Sequence, residues 1–251
     1  MNIGYMTDRG RRRPTNEDSL RACEDLSFFM LADGVGGNRS GEIASQSALD
    51  ALEKFVRHNP PEWLGSRDEV FRYFRAAVNY VNQFIIKLSE AKLQYTGMAT
   101  TLTFAYIRDD EMYVANVGDS RLYVLHPKAA HDLTGPCVMK QITEDHSLVE
   151  TMVRTGEIKR EDARNHPNKN VITRALGAGE DVEVDYFEVD VTEGDLVLLC
   201  SDGLTNMVED EDIMQIIRDN GDLISRTTKE LIKAANRNGG KDNIGIVLVR
   251  L

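Results

Sequence analysis

The spacing of hydrophobic residues changes along the chain between a helical and a strand-like period. From Asp68 to Lys92, apolar residues recur every three or four positions, which predicts one long amphipathic helix packed on a flat surface such as a sheet. The segment 41–58 has the same period and predicts a second helix. Shorter apolar runs predict buried strands, and they read "LSFFMLAD", "DLVLLCSDG" and "IGIVLVRL".

The middle of the chain, residues 100–125, contains three consecutive strand-like runs. Two tight polar turns, "RDDE" and "GDS", join them and predict an antiparallel meander. Further strands are predicted at residues 2–10, 138–143 and 186–191, and further helices at 212–219 and 223–237. Strands joined by hairpins, with helices gathered in groups, indicate a layered α+β architecture rather than an alternating βαβ one.

Nothing in the sequence divides the chain into separate units. It has no internal repeat, low-complexity segment or strong linker, so we predict one domain over residues 1–251. The polar stretch 156–170 lacks periodicity and interrupts two elements, which predicts a surface flap that we place at about residues 146–170. Two interpretations stay open for this stretch, a flap that gates a site and a variable surface loop.

The composition is typical of a folded globular protein, with 41% hydrophobic and 28% charged residues. Acidic residues outnumber basic ones by 41 to 30, which gives a formal net charge of −11. We therefore expect no nucleic-acid partner, because such a partner requires clustered Lys and Arg. The excess of carboxylates suits hard divalent cations instead.

The 3 cysteines are widely spaced, with no CxxC pair and no histidine spacing for zinc, which favours a reducing compartment. The first residues lack the apolar core of a signal peptide. No apolar run approaches the roughly 18 residues of a membrane span. We therefore predict a cytoplasmic protein without membrane insertion.

Carboxylates recur at the ends of the predicted strands. Asp33 and Asp202 each follow a buried run and precede a glycine, whereas Asp119 lies in a turn and Asp242 precedes the last strand. Taken singly, each is more often a turn residue than a ligand. Several carboxylates buried together are unfavourable unless cations neutralise them, and oxygen ligands favour Mg²⁺, Mn²⁺ or Ca²⁺ over zinc.

Neighbouring residues extend this hypothesis to phosphoester hydrolysis. Two hard cations about 3.5 to 4 Å apart are the usual arrangement for that reaction. Glycines such as Gly34 let the backbone approach an ion or a polyanionic substrate. The arginines at 11–13, directly before Glu17 and Asp18, offer a fork for phosphate oxygens, although three arginines in a turn are commonly only solvated surface.

Other phosphatase chemistries do not fit the sequence. None of the cysteines has an arginine six residues later, which excludes a loop that cradles phosphate around a cysteine. The pair Asp210 and Asp212 opens a predicted helix, where acids favour the helix dipole, so it does not indicate an aspartyl-phosphate site. For His146, the histidine beside other polar candidates, we favour a structural hydrogen-bonding role over acid or base catalysis.

Eight motifs follow one another from about Thr7 to Val249, and they read "RPTNED", "ADGVGG…GE", "GMATTL", "VGDSR", "EDHS", "ITRALG", "SDGL" and "GGKDNI". In this order they resemble the metal-dependent serine/threonine phosphatases of type 2C, in their compact bacterial form. The resemblance implies a four-layer αββα sandwich, in which helices flank two central antiparallel sheets and a flap lies beside a cleft. It also implies a centre of two Mn²⁺ or Mg²⁺ ions in that cleft.

The resemblance assigns roles to individual positions. Asp33 would bridge both metals, and Gly34 would lend its carbonyl to one of them. Asp202 and Asp242 would hold the other metal. Arg13 matches the arginine that grips the substrate phosphate.

Three further acids match less central positions of the family. Glu17 and Asp18 resemble acids that bind the metals or their waters. Asp119 matches the position that, in bacterial members, helps hold a third, weaker metal together with the equivalent of Asp202. This chain departs from the pattern at Val35, where many eukaryotic members have a histidine proposed as general acid, and at Ala99, where glycine is usual.

The resemblance implies hydrolysis of phosphoserine and phosphothreonine in proteins by a metal-activated water in one in-line step. It implies phosphorylated proteins as substrates and a bacterial Ser/Thr kinase as the opposing enzyme, and we expect a monomer. Two alternatives stay open. One is a non-catalytic relative that binds a phosphoprotein or regulates a partner, and the other is a phosphatase for small metabolites or a cyclase-like metal enzyme. The presence of every metal acid of the family favours the phosphatase.

Overall fold

The structure is a computed structural model that describes residues 1–36, 40–127, 137–220 and 223–251. In these ranges the strands are β1 (Asn2–Asp8), β2 (Asp18–Cys23), β3 (Phe28–Val35), β4 (Ala99–Thr100), β5 (Leu102–Arg108), β6 (Glu111–Val117), β7 (Arg121–Pro127), β8 (Cys137–Gln141), β9 (Asp185–Asp190), β10 (Leu196–Cys200) and β11 (Ile244–Arg250). The helices are α1 (Ser40–His58), α2 (Arg67–Ala91), α3 (Leu148–Arg154), α4 (Arg160–Ala163), α5 (Asp202–Thr205), α6 (Asp210–Asn220) and α7 (Ile224–Arg237). Short 3₁₀ turns lie at Glu24–Leu26, Pro61–Trp63 and Leu93–Tyr95.

Within the described ranges the strands form two antiparallel sheets. Sheet I has the order β1-β11-β10-β7-β8. Sheet II has the order β2-β3-β5-β6-β9, with the short β4 paired to β3. Strands β1 and β11, from the two ends of the chain, lie side by side, with Asn2 opposite Arg250 and Asp8 opposite Ile244. The predicted α+β class with two antiparallel sheets is confirmed.

Side-chain alternation along the strands explains how the layers stack. In β3, Phe28, Met30 and Ala32 belong to the apolar cluster shared with α1 and α2, whereas Phe29 and Leu31 pack between the two sheets. Strand β3 is therefore buried on both faces, which is why its sequence is a continuous apolar run. Helices α6 and α7 cover the outer face of sheet I through a further apolar cluster. The result is the predicted four-layer αββα sandwich.

Both long helices predicted from the spacing of apolar residues are present. Helix α2 begins after Ser66, whose hydroxyl oxygen accepts a hydrogen bond from the Glu69 backbone N–H at 3.4 Å, while the Glu69 carboxylate accepts one from the Ser66 N–H at 3.0 Å. This reciprocal capping satisfies two N–H groups that the helix leaves free, and it fixes the helix start. Among the residues that the structure describes, no helix is both long and apolar enough to cross a membrane.

The hydrophobic pattern does not predict β2, and it places Asp18 in a connection between strands. The structure instead begins β2 at Asp18, directly opposite Asp33 of β3. The pattern is weak because β2 lies at the edge of sheet II: Leu20 packs between the sheets, whereas Arg21 forms ion pairs with acids of α1. Asp18 therefore belongs to the sheet rather than to a loop.

The predicted three-stranded meander over residues 100–125 is wrong in its last step. Strands β5 and β6 form the expected hairpin, but β6 belongs to sheet II and β7 to sheet I. Gly118 makes the crossing with a φ of +112°, and a Cβ at this position would lie 2.5 Å from Thr101 Cγ2. The local sequence predicts the turn, but not that the turn changes sheets. As a consequence, Asp119 lies where the two sheets meet.

The segment 146–170 contains more regular structure than its sequence predicts. Helix α3 begins after Ser147, whose hydroxyl oxygen accepts a hydrogen bond from the Glu150 N–H at 3.2 Å, and α4 follows it. Both helices are short, which explains why no period is visible in the sequence. The gating role predicted for this segment stays a prediction.

Candidate metal centre

A cavity of about 380 Å³ opens where β3, β6 and β10 end and β11 begins. All but one of the site residues predicted from the sequence line it, namely Arg13, Glu17, Asp33, Gly34, Asp119, Asp202 and Asp242. Asp18 does not line the cavity. It is buried directly behind it, opposite Asp33 across the β2–β3 pair.

Asp33 is held in place through its backbone by two threonines. Its N–H donates to Thr101 Oγ1 at 2.9 Å, and its carbonyl accepts from the Thr101 N–H and from Thr100 Oγ1, both at 2.9 Å. These bonds tie the end of β3 to the end of β4 and to Thr101, which connects β4 to β5. The backbone of Asp33 is therefore fixed without the use of its carboxylate, which lines the cavity.

Gly34 lies where no larger residue fits. A Cβ at this position would be 2.1 Å from the Gly41 carbonyl oxygen, so the first turn of α1 can approach β3 only over a glycine. The Gly34 N–H donates to the Glu17 carbonyl at 3.0 Å. The Glu17 carboxylate lies beside Gly41, in the first turn of α1. At this end of a helix the helix dipole favours a negative charge.

Asn243, which sequence analysis did not single out, organises the loop that carries Arg13 and Glu17. Its Nδ2 donates to the carbonyls of Arg9 and Thr15 at 2.9 and 2.8 Å, and its Oδ1 accepts from the Glu17 N–H at 2.8 Å. One buried amide thus satisfies three backbone groups of the loop. The signal available in the sequence was its place in the motif "GGKDNI", directly after Asp242.

Asp202 and Asp242 approach the cavity from two neighbouring elements. Asp202 is the first residue of α5, and its Oδ2 accepts a hydrogen bond from Asn206 Nδ2 at 2.8 Å. Asp242 precedes β11, and its Oδ1 accepts from the Asn243 N–H at 2.8 Å. Its Oδ2 lies 2.6 Å from Nη2 of Arg13, so one carboxylate joins the arginine to the acidic cluster.

The acids of this cluster raise one another's pKa. Burial, followed by the neighbouring negative charges, raises the pKa of Asp18 to about 7 and that of Asp202 to about 6. The pKa of Asp33 and that of Asp119 lie well above the usual Asp value for the same two reasons. The charges that act on Asp33 include those of Asp18, Asp202 and Asp242. The arrangement is therefore unfavourable at neutral pH unless positive charge is added.

The donor set fits hard divalent cations. Asp18 Oδ1 is buried without a hydrogen-bond partner, while Asp18 Oδ2 accepts from Ser201 Oγ at 2.7 Å. In the described part of the chain, no group of three or more Asp, Glu, His or Cys side chains is arranged so that it could hold a metal ion by itself. Ions in this cavity would therefore take part of their coordination from a backbone carbonyl such as that of Gly34 and from water, as Mg²⁺ commonly does.

The raised pKa values predict how the metal-free protein responds to pH. Between the usual Asp pKa and about pH 7, the folded state binds more protons than the unfolded state, so the free energy of unfolding falls as pH rises through this window. We expect the metal-free protein to melt at least about 3 °C lower near pH 7.5 than near pH 5. Differential scanning fluorimetry measures this difference.

The variant Asp18→Asn should show a smaller difference between the two pH values, because the buried group can no longer ionise. Saturating Mn²⁺ should raise the melting temperature more at the higher pH, where the ligands are deprotonated. A metal-free melting temperature that rises across this window in wild type and variant alike would contradict the clustering of acids.

His146 supports the turn that carries Asp119. The Gly118 N–H donates to His146 Nδ1 at 3.0 Å, and His146 Nε2 lies 2.9 Å from Arg174 Nη1 and 3.1 Å from Asp185 Oδ2. Burial lowers the pKa of His146, and its side chain is only 5% exposed. A neutral, buried imidazole with both nitrogens engaged supports the structural role over acid or base catalysis.

A second cavity, of about 340 Å³, adjoins the first between the segment 146–170 and α6. Asp119 and Asp202 line both cavities. Three of its basic side chains are paired with acids, Arg121 with Asp145, Arg160 with Glu150 and Arg164 with Glu209. The two shared acids, Asp119 and Asp202, therefore lie where the two cavities meet.

Two stacked antiparallel sheets with an oxygen-rich acidic pocket beside an arginine define a metal-dependent phosphoester hydrolase. The profile of the family described as protein phosphatase 2C matches residues 9–244. The serine/threonine phosphatase stp of Listeria monocytogenes is 40% identical over 252 residues, which cover 99% of this chain and 95% of that protein. The chain belongs to the protein phosphatase 2C family and is a metal-dependent serine/threonine protein phosphatase.

Solved structures agree with this assignment. The serine/threonine phosphatase PstP/Ppp of Mycobacterium tuberculosis superposes with a TM-score of 0.87 at 34% identity and covers 100% of this chain and 98% of its own. The catalytic domain of PstP in complex with two manganese ions superposes with a TM-score of 0.82 at 33% identity, over 98% of this chain and 96% of its own. Phosphatases of this family use two Mn²⁺ or Mg²⁺ ions.

Proposed function

We propose that the acidic cavity holds the two Mn²⁺ or Mg²⁺ ions. Asp33 would be a ligand shared by both ions, the Gly34 carbonyl would be a ligand of one, and Asp202 and Asp242 would hold the other. The observation that carries this proposal is the convergence of these acids in one cavity beside Arg13, where burial and neighbouring negative charges raise the pKa of Asp33 and that of Asp202. When bound, the ions supply positive charge to the phosphoryl oxygens and lower the pKa of water. The reaction is hydrolysis of phosphoserine and phosphothreonine in proteins.

Arg13 is positioned to orient the substrate phosphate. Its side chain is 48% exposed at the cavity, and one of its N–H groups donates to Asp242. Its remaining guanidinium donors have no partner among the described residues, and their planar geometry suits bidentate binding of phosphate oxygens. The ion pair with Asp242 therefore keeps the arginine next to the acids while the phosphate binds.

No histidine of the described ranges lines the cavity, where it could protonate the leaving oxygen. Val35 stands at the position where many eukaryotic members have that histidine, and its side chain lines the cavity. His146 is buried, and both of its ring nitrogens are engaged. The leaving serine or threonine oxygen therefore takes its proton from water in the open cavity.

The other predicted acids are assigned supporting roles in the same proposal. Asp119, together with Asp202, would hold a third, weaker ion, which is supported by its place in both cavities. Asp18 would act from behind Asp33, and Glu17 from the rim of the cavity, on the ions or on their waters. In this assignment Asp18 does not contact the substrate. Its carboxylate adds negative charge behind Asp33 and so attracts the ions.

We also propose that residues 1–251 act as one catalytic domain, as a cytoplasmic monomer that opposes a bacterial Ser/Thr kinase. The named relatives, which are bacterial serine/threonine phosphatases, support the bacterial part of this proposal. The segment 146–170 would act as a flap over the cavity. Its last residue, Asn170, lines the cavity together with the following Ile172, which supports such a role.

The test is turnover of two substrates, a phosphothreonine peptide and an aryl phosphate, with and without Mn²⁺. We expect both to be hydrolysed with Mn²⁺ and neither after chelation, because the acids alone offer no activated water. Hydrolysis of neither substrate in Mn²⁺ would favour a non-catalytic phosphoprotein binder. Hydrolysis of the aryl phosphate alone would favour an enzyme that acts on small metabolites.

A further inference from the structure

A groove of about 600 Å³ runs between β1 and α7, outside the acidic cavity. Met6 and Ile232 contribute its apolar lining. Four basic side chains also line it, Arg11 from the β1–β2 loop and Lys229, Lys233 and Arg237 from α7. We call this surface the basic groove.

The basic groove concentrates positive charge on a chain whose net charge is −11. Asp8 is its one acidic lining residue in the described part of the chain, and Asp8 Oδ1 already accepts from the Gly10 N–H at 2.8 Å and from Asn236 Nδ2 at 3.0 Å. Lys233 pairs with Glu230 at 2.8 Å. Among the described residues, the other three basic side chains form no ion pair, so their charges are available to a ligand.

The β1–β2 loop links the basic groove to the catalytic cavity, because Arg11 lines the groove and Arg13 lines the cavity. The Arg11 N–H donates to the Gly240 carbonyl at 2.7 Å, which fixes the β1–β2 loop on the segment that leads from α7 to Asp242. Two residues further along the loop, Arg13 pairs with Asp242 in the cavity. A polypeptide whose phosphate lies at Arg13 would therefore pass Arg11 as it enters the groove.

The spacing of the α7 charges suits an extended chain. Lys229, Lys233 and Arg237 are four residues apart, so they recur about every 6 Å along the helix and span about 12 Å. An extended peptide advances about 3.3 Å per residue, so about four of its residues match this span. Alternate side chains of such a peptide point the same way and could each meet one basic residue.

We propose that the basic groove binds an acidic, extended segment that flanks the phosphorylated residue of a substrate protein. The inference rests on the proposed function, because it extends the substrate contacts of the same active site. With at most about 7 Å between Arg11 and Arg13 and about 12 Å along α7, the acidic residues would lie within about six positions of the phosphorylated residue. The groove narrows the choice of substrate through charge complementarity.

The experiment compares three phosphothreonine peptides of equal length. One has a neutral flank, one has acidic residues at alternate positions two to six residues before the phosphothreonine, and one has them after it. We expect the wild-type KM to be about fivefold to tenfold lower for one acidic peptide than for the neutral one, as several exposed ion pairs would give, and the advantage to fade in high salt. Equal KM values for all three peptides would overturn the proposal.

The double variant Lys229→Glu/Lys233→Glu should remove the advantage of the acidic peptide and leave turnover of the neutral peptide and of an aryl phosphate unchanged. The matched control is Lys54→Glu/Lys87→Glu, which makes the same change in net charge at exposed positions of α1 and α2, in the opposite outer layer. Lys229→Gln/Lys233→Gln, which avoids new like charges on α7, should give a smaller loss of the same kind. An equal loss in the control double variant would show an effect of total charge and would overturn the groove.

Fluorescence anisotropy with the same acidic peptide, labelled, measures binding independently of turnover. Binding that is weakened about fivefold by Lys229→Glu/Lys233→Glu supports the groove even if no substrate is hydrolysed, a result that would count against the proposed function alone. Binding that is the same in wild type and double variant counts against the groove alone. If the double variant lost the binding to anionic lipid vesicles that the wild type shows, while its peptide binding stayed unchanged, the groove would be assigned to a membrane surface instead.

Discussion

Asp33→Asn should lower kcat/KM for a phosphothreonine peptide by about 10³-fold or more. The carboxylate lies at the centre of the acidic cluster, and the loss of several kcal/mol of charge stabilisation corresponds to a change of this size. The backbone of Asp33 is held by Thr100 and Thr101 rather than by its side chain, so the substitution should leave the fold intact. Steady-state kinetics at saturating Mn²⁺ measure the loss.

The same substitution should stabilise the metal-free protein. Asparagine removes one negative charge from a group of buried acids that raise one another's pKa, so repulsion falls and the melting temperature near pH 7.5 should rise. The matched control is Asp68→Asn, an exposed acid of α2, which should change neither activity nor stability appreciably. A drop in activity that is accompanied by a lower melting temperature in the metal-free state would indicate misfolding rather than loss of a ligand.

Arg13→Ala should lower kcat/KM by about 10- to 100-fold, mainly through a higher KM. A charge-assisted hydrogen bond contributes about 1.5 to 3 kcal/mol, and Arg13 offers more than one such bond to a phosphate. Arg13→Lys should recover only part of the loss, because an ammonium group cannot bind two oxygens in the fixed geometry of a guanidinium. Inhibition by inorganic phosphate provides an independent readout, since its Kd should rise in parallel.

The neighbouring Arg12 provides the control for this prediction. It is exposed in the same turn but does not line the cavity, so Arg12→Ala should leave KM within about twofold of wild type. Equal losses from Arg12→Ala and Arg13→Ala would mean that the loop acts through its total charge. The assignment of Arg13 to the phosphate would then be wrong.

The spacing of apolar residues was sufficient to predict the helices and strands that bury one or both of their faces. Helices α1 and α2 follow from their apolar stripes, and β3 from its continuous apolar run, because burial imposes these patterns directly on the sequence. The site acids could be found for a related reason. Carboxylates at the ends of buried strands, next to glycine, carry a local signal, and Asp33 and Asp202 both show it.

The features that sequence analysis missed depend on contacts between distant segments. Strand β2 lies at a sheet edge and has only a weak alternation, so its partner β3 rather than its own sequence determines its conformation. The change of sheet at Gly118 depends on Thr101, and the role of Asn243 depends on backbone groups more than 200 residues earlier in the chain. No local pattern encodes such partners.

The central claim is that scattered acids form one site for two ions. Titration of metal-free protein with Mn²⁺, followed by calorimetry and by electron paramagnetic resonance, tests it most directly. The account predicts two Mn²⁺ per chain bound with the highest affinity, magnetically coupled because they share Asp33, and loss of the coupled pair in Asp33→Asn. Fewer than two tightly bound ions in the wild type, or a coupled pair that persists in Asp33→Asn, would contradict it.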